Sequence, residues 1–416
     1  LKFERLEKLA TIILILITVG AFAIKPVHEV SPNPLGGGAI NQLLNASSYL
    51  ILFGLMIYYW KGFLYVSSKG VFQILLLIII LFSVLWSADL GSSLTYLRGL
   101  IRIYFLAVYL AMRYTFKEQI RFIAFALGTT TVMSIIFPLI PSFGGIHTTP
   151  ELAGKWAGIF GHKNELGYMM AWSAAVSLHL ALSETKYRLL RLAIFGLSIC
   201  LIILSQSTTS LMIVFTMIAL LPLYKISSNN NYKLQIITIS FVLMLLVTGS
   251  ILIFGNAEAV VGTSGKDLTL NGRTDLWEPV IKQILERPLY GYGYAAFWTS
   301  PFASNIRLTY EWASNSHNGF FEIMLDLGIG GFIIFAIGLI RFFTIALYRV
   351  VFVAKKPEDY FPMQMLVLII ILNISEARLL TPSWNWFMYL TTSLTLTMES
   401  HRARRQASLN LAQIEY

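Results

Sequence analysis

Two histidines stand in dense polar clusters, each at the start of a long apolar run. His317 lies in Ser314-Asn315-Ser316-His317-Asn318-Gly319-Phe320-Phe321-Glu322, and His162 in Gly161-His162-Lys163-Asn164-Glu165-Leu166-Gly167. A neutral histidine at such a position can take a proton from a hydroxyl. Glu322, a few residues on, is spaced to orient or tune it. A helix N-terminus with a lysine beside it, as at Lys163, attracts anions. Helix capping is the plainer explanation for either cluster taken alone. The remaining histidines lack this setting: His28 and His147 fall in loops without a partner pattern, His179 inside an apolar run, and His401 in a basic tail.

Several signatures are missing. The chain has no Asp-x-Asp pair to hold a divalent metal for a nucleotide sugar, no phosphate-binding glycine loop, no Gly-x-Ser-x-Gly elbow and no zinc spacing. No cofactor and no metal are therefore expected. A transfer reaction here needs a donor that arrives already activated, and a lipid diphosphate fits.

The elements that must position these residues are membrane spans. The chain has 416 residues, of which 56% are hydrophobic and 12% charged, against about 25% charged in an average soluble domain. Its mean hydropathy is +0.69. The apolar runs are continuous rather than alternating, so the expected fold is all-α and polytopic, with about twelve transmembrane helices rather than a barrel. Spans are expected near 10–25, 47–60, 71–86, 99–113, 121–140, 166–185, 192–206, 208–224, 234–254, 329–348, 361–375 and 384–398. The first is read as a retained helix because no cleavage site follows it. The expected organisation is spans one to nine over 1–255, an outer loop over 256–328, three further spans over 329–398, and a tail over 399–416. The single cysteine, Cys200, excludes an internal disulfide.

The positive-inside rule orients these spans. With the N-terminus inside, every inner loop is basic, from Lys61 and Lys69 through Arg113, Lys117 and Arg121 to Arg402, Arg404 and Arg405. Both termini are then cytoplasmic and the 256–328 loop is external. Lys25, Arg98, Arg102, Lys155, Lys163, Lys266, Arg273, Lys282, Arg287, Arg307 and Arg378 fall on the outer side, where topology gives them no reason to be. Arg98 and Arg102 are one helical turn apart and can share a face. The net charge of +10 is thus read as membrane anchoring plus binding of an anionic substrate, not as binding of nucleic acid. Within the loop, Thr274 is placed to cap an amphipathic helix from Asp275 to Glu286, with Leu276, Val280 and Ile284 on one stripe and Pro279 weakening its start. Trp277, Trp298 and Trp312 suit an interface with membrane lipids.

The loop carries a more specific pattern. His317-Asn318 is followed by nine residues, Gly328, two residues and Gly331. This resembles the O-antigen ligase and polysaccharide polymerase superfamily of bacterial inner-membrane glycosyltransferases. Gly158-Ile159-Phe160-Gly161-His162-Lys163-Asn164 and Asn271-Gly272-Arg273 followed by Trp277 are similar to stretches of that family, and the resemblance covers nearly the whole chain. It implies an undecaprenyl-diphosphate-linked glycan as donor, an active site on the periplasmic face of the inner membrane, and inverting transfer. With such a donor, His317 is the expected base, and Arg273 and Lys163 are expected to stabilise the charge on the diphosphate. Arg98, Arg102 and Arg287 are second-rank anion ligands, and His162, Asn164, Asn318 and Glu322 are further substrate-binding candidates. Ligation to a lipid A core is the expected reaction. Polymerisation onto another lipid-linked glycan is the alternative, and a small-anion transporter a more distant one.

Overall fold

The computed structural model describes residues 2–23, 39–140, 144–227, 273–354 and 356–414. The span expected at 234–254, together with Lys25, His28, Lys266 and Asn271-Gly272, lies outside the described residues.

A chain in lipid must satisfy its backbone internally, and these apolar runs do so as helices. In order they are α1 (Lys2–Thr18), α2 (Ala39–Tyr58), α3 (Trp60–Lys69), α4 (Val71–Ser83), α5 (Leu90–Arg113), α6 (Phe116–Ile136), α7 (Lys163–Ser183), α8 (Arg188–Ser205) and α9 (Thr208–Ser227). After the undescribed stretch come α10 (Arg273–Glu286), α11 (Ser304–Thr309), α12 (Gly319–Tyr348), α13 (Phe361–Ser375) and α14 (Trp384–Ile414). Among the described residues, 5 helices are long and apolar enough to cross a membrane, or 6 if α2 and α3 count as one bent span. Val71–Trp86, Thr208–Leu221 and Phe361–Ser375 are apolar but shorter. Among the described residues the secondary structure is helical, and its several long apolar helices are those of a multi-pass membrane protein. The one bridge outside helices among the described residues pairs Ile146 with Trp156.

Two local differences from expectation have clear causes. The segment between the second and third expected spans is itself a helix, α3, turned 92° from α2. It buries Val66 and Ser67 while Trp60, Leu64 and Tyr65 stay exposed, so it is too short and too polar for a search based on apolar length. The loop helix is described over Arg273–Glu286, so Thr274 lies inside it; its hydroxyl is 3.5 Å from the Asp275 carboxylate. Leu276 and Val280 are buried as the stripe requires.

Helix α7 is the central column, packing on α6, α8 and α9. Its apolar window is 83% buried, against 22% for α8, so α8 faces outward. Small residues such as Ala171, Ser173, Ala174 and Ser177 let its neighbours approach closely. Helix α14 packs on α5, and α12 on α4 and α13.

The two ends of the bundle differ in chemistry. At one end, buried or half-buried ion pairs join Glu7 to Arg113 (2.7 Å), Glu184 to Arg121 and Arg191 (2.6 Å each), and Arg349 to Asp359 (2.9 Å). Helix α5 starts against the 273–318 loop, where Ser93 donates to the Tyr294 carbonyl (2.5 Å). It then runs 24 residues to Arg113, about 36 Å at the helical rise. The loop therefore sits at the opposite end from these ion pairs.

Candidate functional site

The loop is tied into α12 at a break in that helix. Gly328 has φ +65° and ψ −166°, which no helical residue adopts. The break frees the carbonyls of Leu325 and Asp326, which accept from the N–H groups of Tyr292 (2.7 Å) and Gly293 (3.0 Å), while Ile329 N–H donates to the Pro288 carbonyl (2.7 Å). A Cβ on Gly328 would lie 2.4 Å from the Leu289 carbonyl, and one on Gly291 2.4 Å from the Leu325 oxygen. Two backbones pass each other here only because both lack side chains. Leu276, Val280, Tyr292, Phe297, Ile306 and Leu325 form a small core beneath the loop.

The turn that carries His317 is held from several sides. Glu322 accepts from Ser316 N–H (3.0 Å) and from Trp298 Nε1 (3.1 Å). Trp277 Nε1 donates to the Ser316 carbonyl (3.0 Å). Asn318 caps α12 through the N–H groups of Phe320 and Phe321. Its own amide nitrogen lies 3.4 Å from the Ile374 carbonyl, which joins the turn to the end of α13. His317 itself has φ +51°, a left-handed conformation costly for a residue with a side chain. Its N–H donates to Asn315 Oδ1 at 2.9 Å, which fixes that backbone.

The His317 ring is largely buried, and neither nitrogen has a hydrogen-bond partner. Trp312 covers it at 5.4 Å between ring centroids. Nδ1 is 4.0 Å from Glu376 Oε2. The other oxygen of Glu376 accepts from Arg273 Nη2 at 3.0 Å, and Arg273 Nη1 donates to the Ser375 carbonyl. Burial, reinforced by the Arg273 charge, pushes the imidazole down to about 4. It is therefore neutral at physiological pH, with a lone pair available.

A second group of polar residues borders the first. Arg378 lies 3.4 Å from Glu165 and over the Tyr168 ring at 5.0 Å; its N–H donates to Asn373 Oδ1 at 2.9 Å. His162 caps α7 by accepting from Asn164 N–H at 3.2 Å. Its ring is 5.5 Å from that of His147, whose Nε2 accepts from Lys163 N–H at 3.2 Å. Lys163 Nζ reaches Asn164 Oδ1 at 3.1 Å. Burial lowers His162 below the usual imidazole value. Arg378 pairs with Glu165 and lies two residues after Glu376, so the 162–165 cluster adjoins the group formed by Arg273, Glu376 and His317.

Three expected anion ligands sit elsewhere. Arg102 is buried in α5, donating to Asn45 and lying over the Tyr49 ring at 5.7 Å. Arg98 is 3.4 Å from Thr95 Oγ1. Arg287 lies over the Tyr292 and Phe302 rings at 4.8 and 4.4 Å, beside an open hollow of about 620 Å³ lined by Trp86 and Leu289. Glu322 belongs to the loop scaffold, since both its oxygens are engaged by loop donors, and it is Glu376 that faces His317. Glu376 and Glu165 are the site carboxylates that sequence reasoning did not single out. The signal lay in the polar run Asn373-Ile374-Ser375-Glu376-Ala377-Arg378 at the end of an apolar span. Among the described residues, no three His, Cys, Asp or Glu side chains converge as a metal-binding set.

Two comparisons with known proteins bear on the chain as a whole. Residues 193–336, which include Arg273, His317 and Gly328, match a family model described as O-antigen ligase. The exopolysaccharide production protein ExoQ of Rhizobium meliloti (strain 1021) is 28% identical over 347 residues, covering 79% of this chain and 76% of that protein. Over the matched stretch, with the histidine on its capped turn and the glycine break that follows it, the chain resembles the O-antigen ligase family.

Proposed function

We propose that the protein transfers a glycan from undecaprenyl diphosphate to a sugar hydroxyl at the outer face of a bacterial inner membrane, with His317 as general base. One observation carries this reading: a buried, neutral imidazole with both nitrogens unpartnered, beside the Arg273–Glu376 pair. His317 takes the proton of the acceptor hydroxyl. That oxygen forms a bond to the anomeric carbon as the bond from this carbon to the diphosphate oxygen breaks. The bonding pair leaves with the diphosphate, and in-line attack inverts the anomeric centre. Arg273 and Lys163 stabilise the charge on the leaving group, and Arg378 joins them as a third cation. Cations fixed in a water-poor site act strongly on developing charge.

The acceptor distinguishes two readings. Extension of a lipid-linked glycan is favoured by the relative that spans most of the chain, a protein named for exopolysaccharide production. Ligation to a lipid A core is favoured by the family model over 193–336. We take chain extension as the primary reading. The test is a purified assay with lipid-diphosphate-linked glycan, offered alone or with lipid A core, for wild type and His317→Ala. Lengthening of the donor glycan without a core acceptor supports extension, while transfer only to the core makes the protein a ligase. A positioned base contributes about 10²–10⁴-fold, and His317→Ala should lose that much. Transfer by His317→Ala at the wild-type rate would overturn the assignment of the base.

A further inference from the structure

Glu376 faces two partners at unequal distances. Its Oε1 accepts from Arg273 at 3.0 Å, a charge-assisted hydrogen bond. Its Oε2 is 4.0 Å from His317 Nδ1, about 1 Å beyond hydrogen-bonding range. His317 is left with two buried, unpartnered nitrogens, an unfavourable state for a polar group. Arg273 is anchored separately through the Ser375 carbonyl, so it keeps its place if the carboxylate leaves. Glu376 therefore covers the cation that the donor needs and stands just short of the base that the acceptor needs.

We infer that Glu376 switches partners during turnover: the donor diphosphate displaces it from Arg273, and the freed carboxylate closes onto His317 Nδ1. This rests on the function proposed above. A diphosphate brings more negative charge to Arg273 than one carboxylate does, so it wins the competition. Once closed, Glu376 accepts from Nδ1–H and fixes the tautomer, leaving the Nε2 lone pair for the acceptor hydroxyl. The proton taken by Nε2 leaves to water after product release, and the carboxylate stays ionised throughout. The base is thus oriented only when a donor is bound, and binding is ordered, donor first. The charged groups facing His317 are Arg273 on α10, Glu376 and Arg378 after α13, and His162 at the start of α7, with the Trp312 ring on the remaining side. Of these, Glu376 is the one carboxylate, so it is a positioning residue acting through His317.

The test is steady-state kinetics of the full chain, with undecaprenyl-diphosphate-linked glycan as donor, for wild type, Glu376→Gln, Glu376→Asp and His317→Ala. In Glu376→Gln, kcat should fall roughly 10- to 10³-fold, while the donor KM stays equal or drops because Arg273 is uncovered. The acid limb of the kcat profile should move to lower pH, by more than that of kcat/KM. Glu376→Asp keeps the charge but is one methylene shorter and cannot serve both partners. It should fold, hold the wild-type donor KM and lose kcat, and it carries the test if the Gln variant does not fold. A kcat within twofold of wild type in the variant that folds overturns the switch. So does a loss of kcat with a raised KM and an unmoved acid limb, the pattern of a purely structural role. If His317→Ala is inactive and the Glu376 variants are normal, the switch alone falls. If His317→Ala is itself active, the reading beneath it falls.

Discussion

At the scale of single residues, the site is a contest between burial and charge over one imidazole. His317 lies under Trp312 and beside the Arg273–Glu376 pair, and burial together with the Arg273 charge holds it near 4, below the ordinary 6.5. The sign follows directly. Between pH 6.5 and about 4 the unfolded chain takes up a proton that the folded protein refuses, so stability declines as pH falls through that window. The base form, in contrast, stays fully populated until pH approaches 4. Since kcat/KM reports the free enzyme, its acid limb should have a midpoint near pH 4 to 5 rather than near 6.5. If Glu376 closes onto the ring when donor binds, the limb of kcat should lie at higher pH than that of kcat/KM. The measurement is a pH series on purified protein, with donor lipid checked for integrity at each pH. A kcat/KM midpoint at 6.5 would mean that the working imidazole is solvated, and the buried geometry would not be the free enzyme's.

At the scale of elements, the spacing of the His-Asn and Gly-x-x-Gly positions has a mechanical explanation. Asn318 caps the start of α12, and Gly328 breaks the helix nearly three turns later, at the height where the 288–293 loop crosses. The break supplies carbonyls for that loop, and the loop carries Tyr294, whose hydroxyl donates to the Leu380 carbonyl at 2.5 Å. Gly331 is tight for a related reason: a Cβ there would lie 2.3 Å from that of Leu327. Gly330, between them, would place a Cβ 3.6 Å from the Leu289 oxygen, an ordinary contact. Gly328→Ala should therefore cost roughly 2 kcal/mol or more, from the left-handed φ and the clash, and should lower activity through the His317 turn. Gly330→Ala should be near neutral. Thermal midpoints in detergent, read beside transfer rates, decide between them; equal midpoints for the two variants would remove the crossing from the account. The same elements show what was readable in advance. Apolar length located the described spans, because lipid forces a helix wherever such a run occurs. The glycine pattern was visible, but the reason for it was not, since that lies in a crossing between segments some forty residues apart. Glu376 escaped notice because a carboxylate at the end of a span reads as solvated loop. Its distance to His317 is a property of how α13 meets α12, which no local pattern records. Thr274 misled for the opposite reason: a good capping residue is common, and here it lies within the helix.

At the scale of the whole molecule, the two ends of the bundle are built for different tasks, and that division makes a topological prediction. One end gathers Arg113, Arg121, Arg191 and Arg349 into pairs with Glu7, Glu184 and Asp359. The other holds the Arg273–Glu376 pair beside His317, with Arg378 paired to Glu165 and Lys163 at the start of α7. Basic loops are retained inside during insertion, so the paired end should be cytoplasmic and the loop end external, where a lipid-linked donor would be consumed. Single cysteines placed in a Cys200→Ser background report this directly. Lys282 is well exposed on α10, and Arg405 is exposed on the last helix, which starts at the loop end and runs away from it. Lys282→Cys should react with a membrane-impermeant maleimide once the inner membrane's outer face is accessible. Arg405→Cys should react only after that membrane is permeabilised. The reverse pattern would put the histidine on the side where nucleotide-activated sugars are available, and the argument for a lipid diphosphate donor would lose its premise. Labelling of both positions without permeabilisation would mean that the two ends are not separated by the membrane, and the multi-pass bundle itself would need to be redrawn.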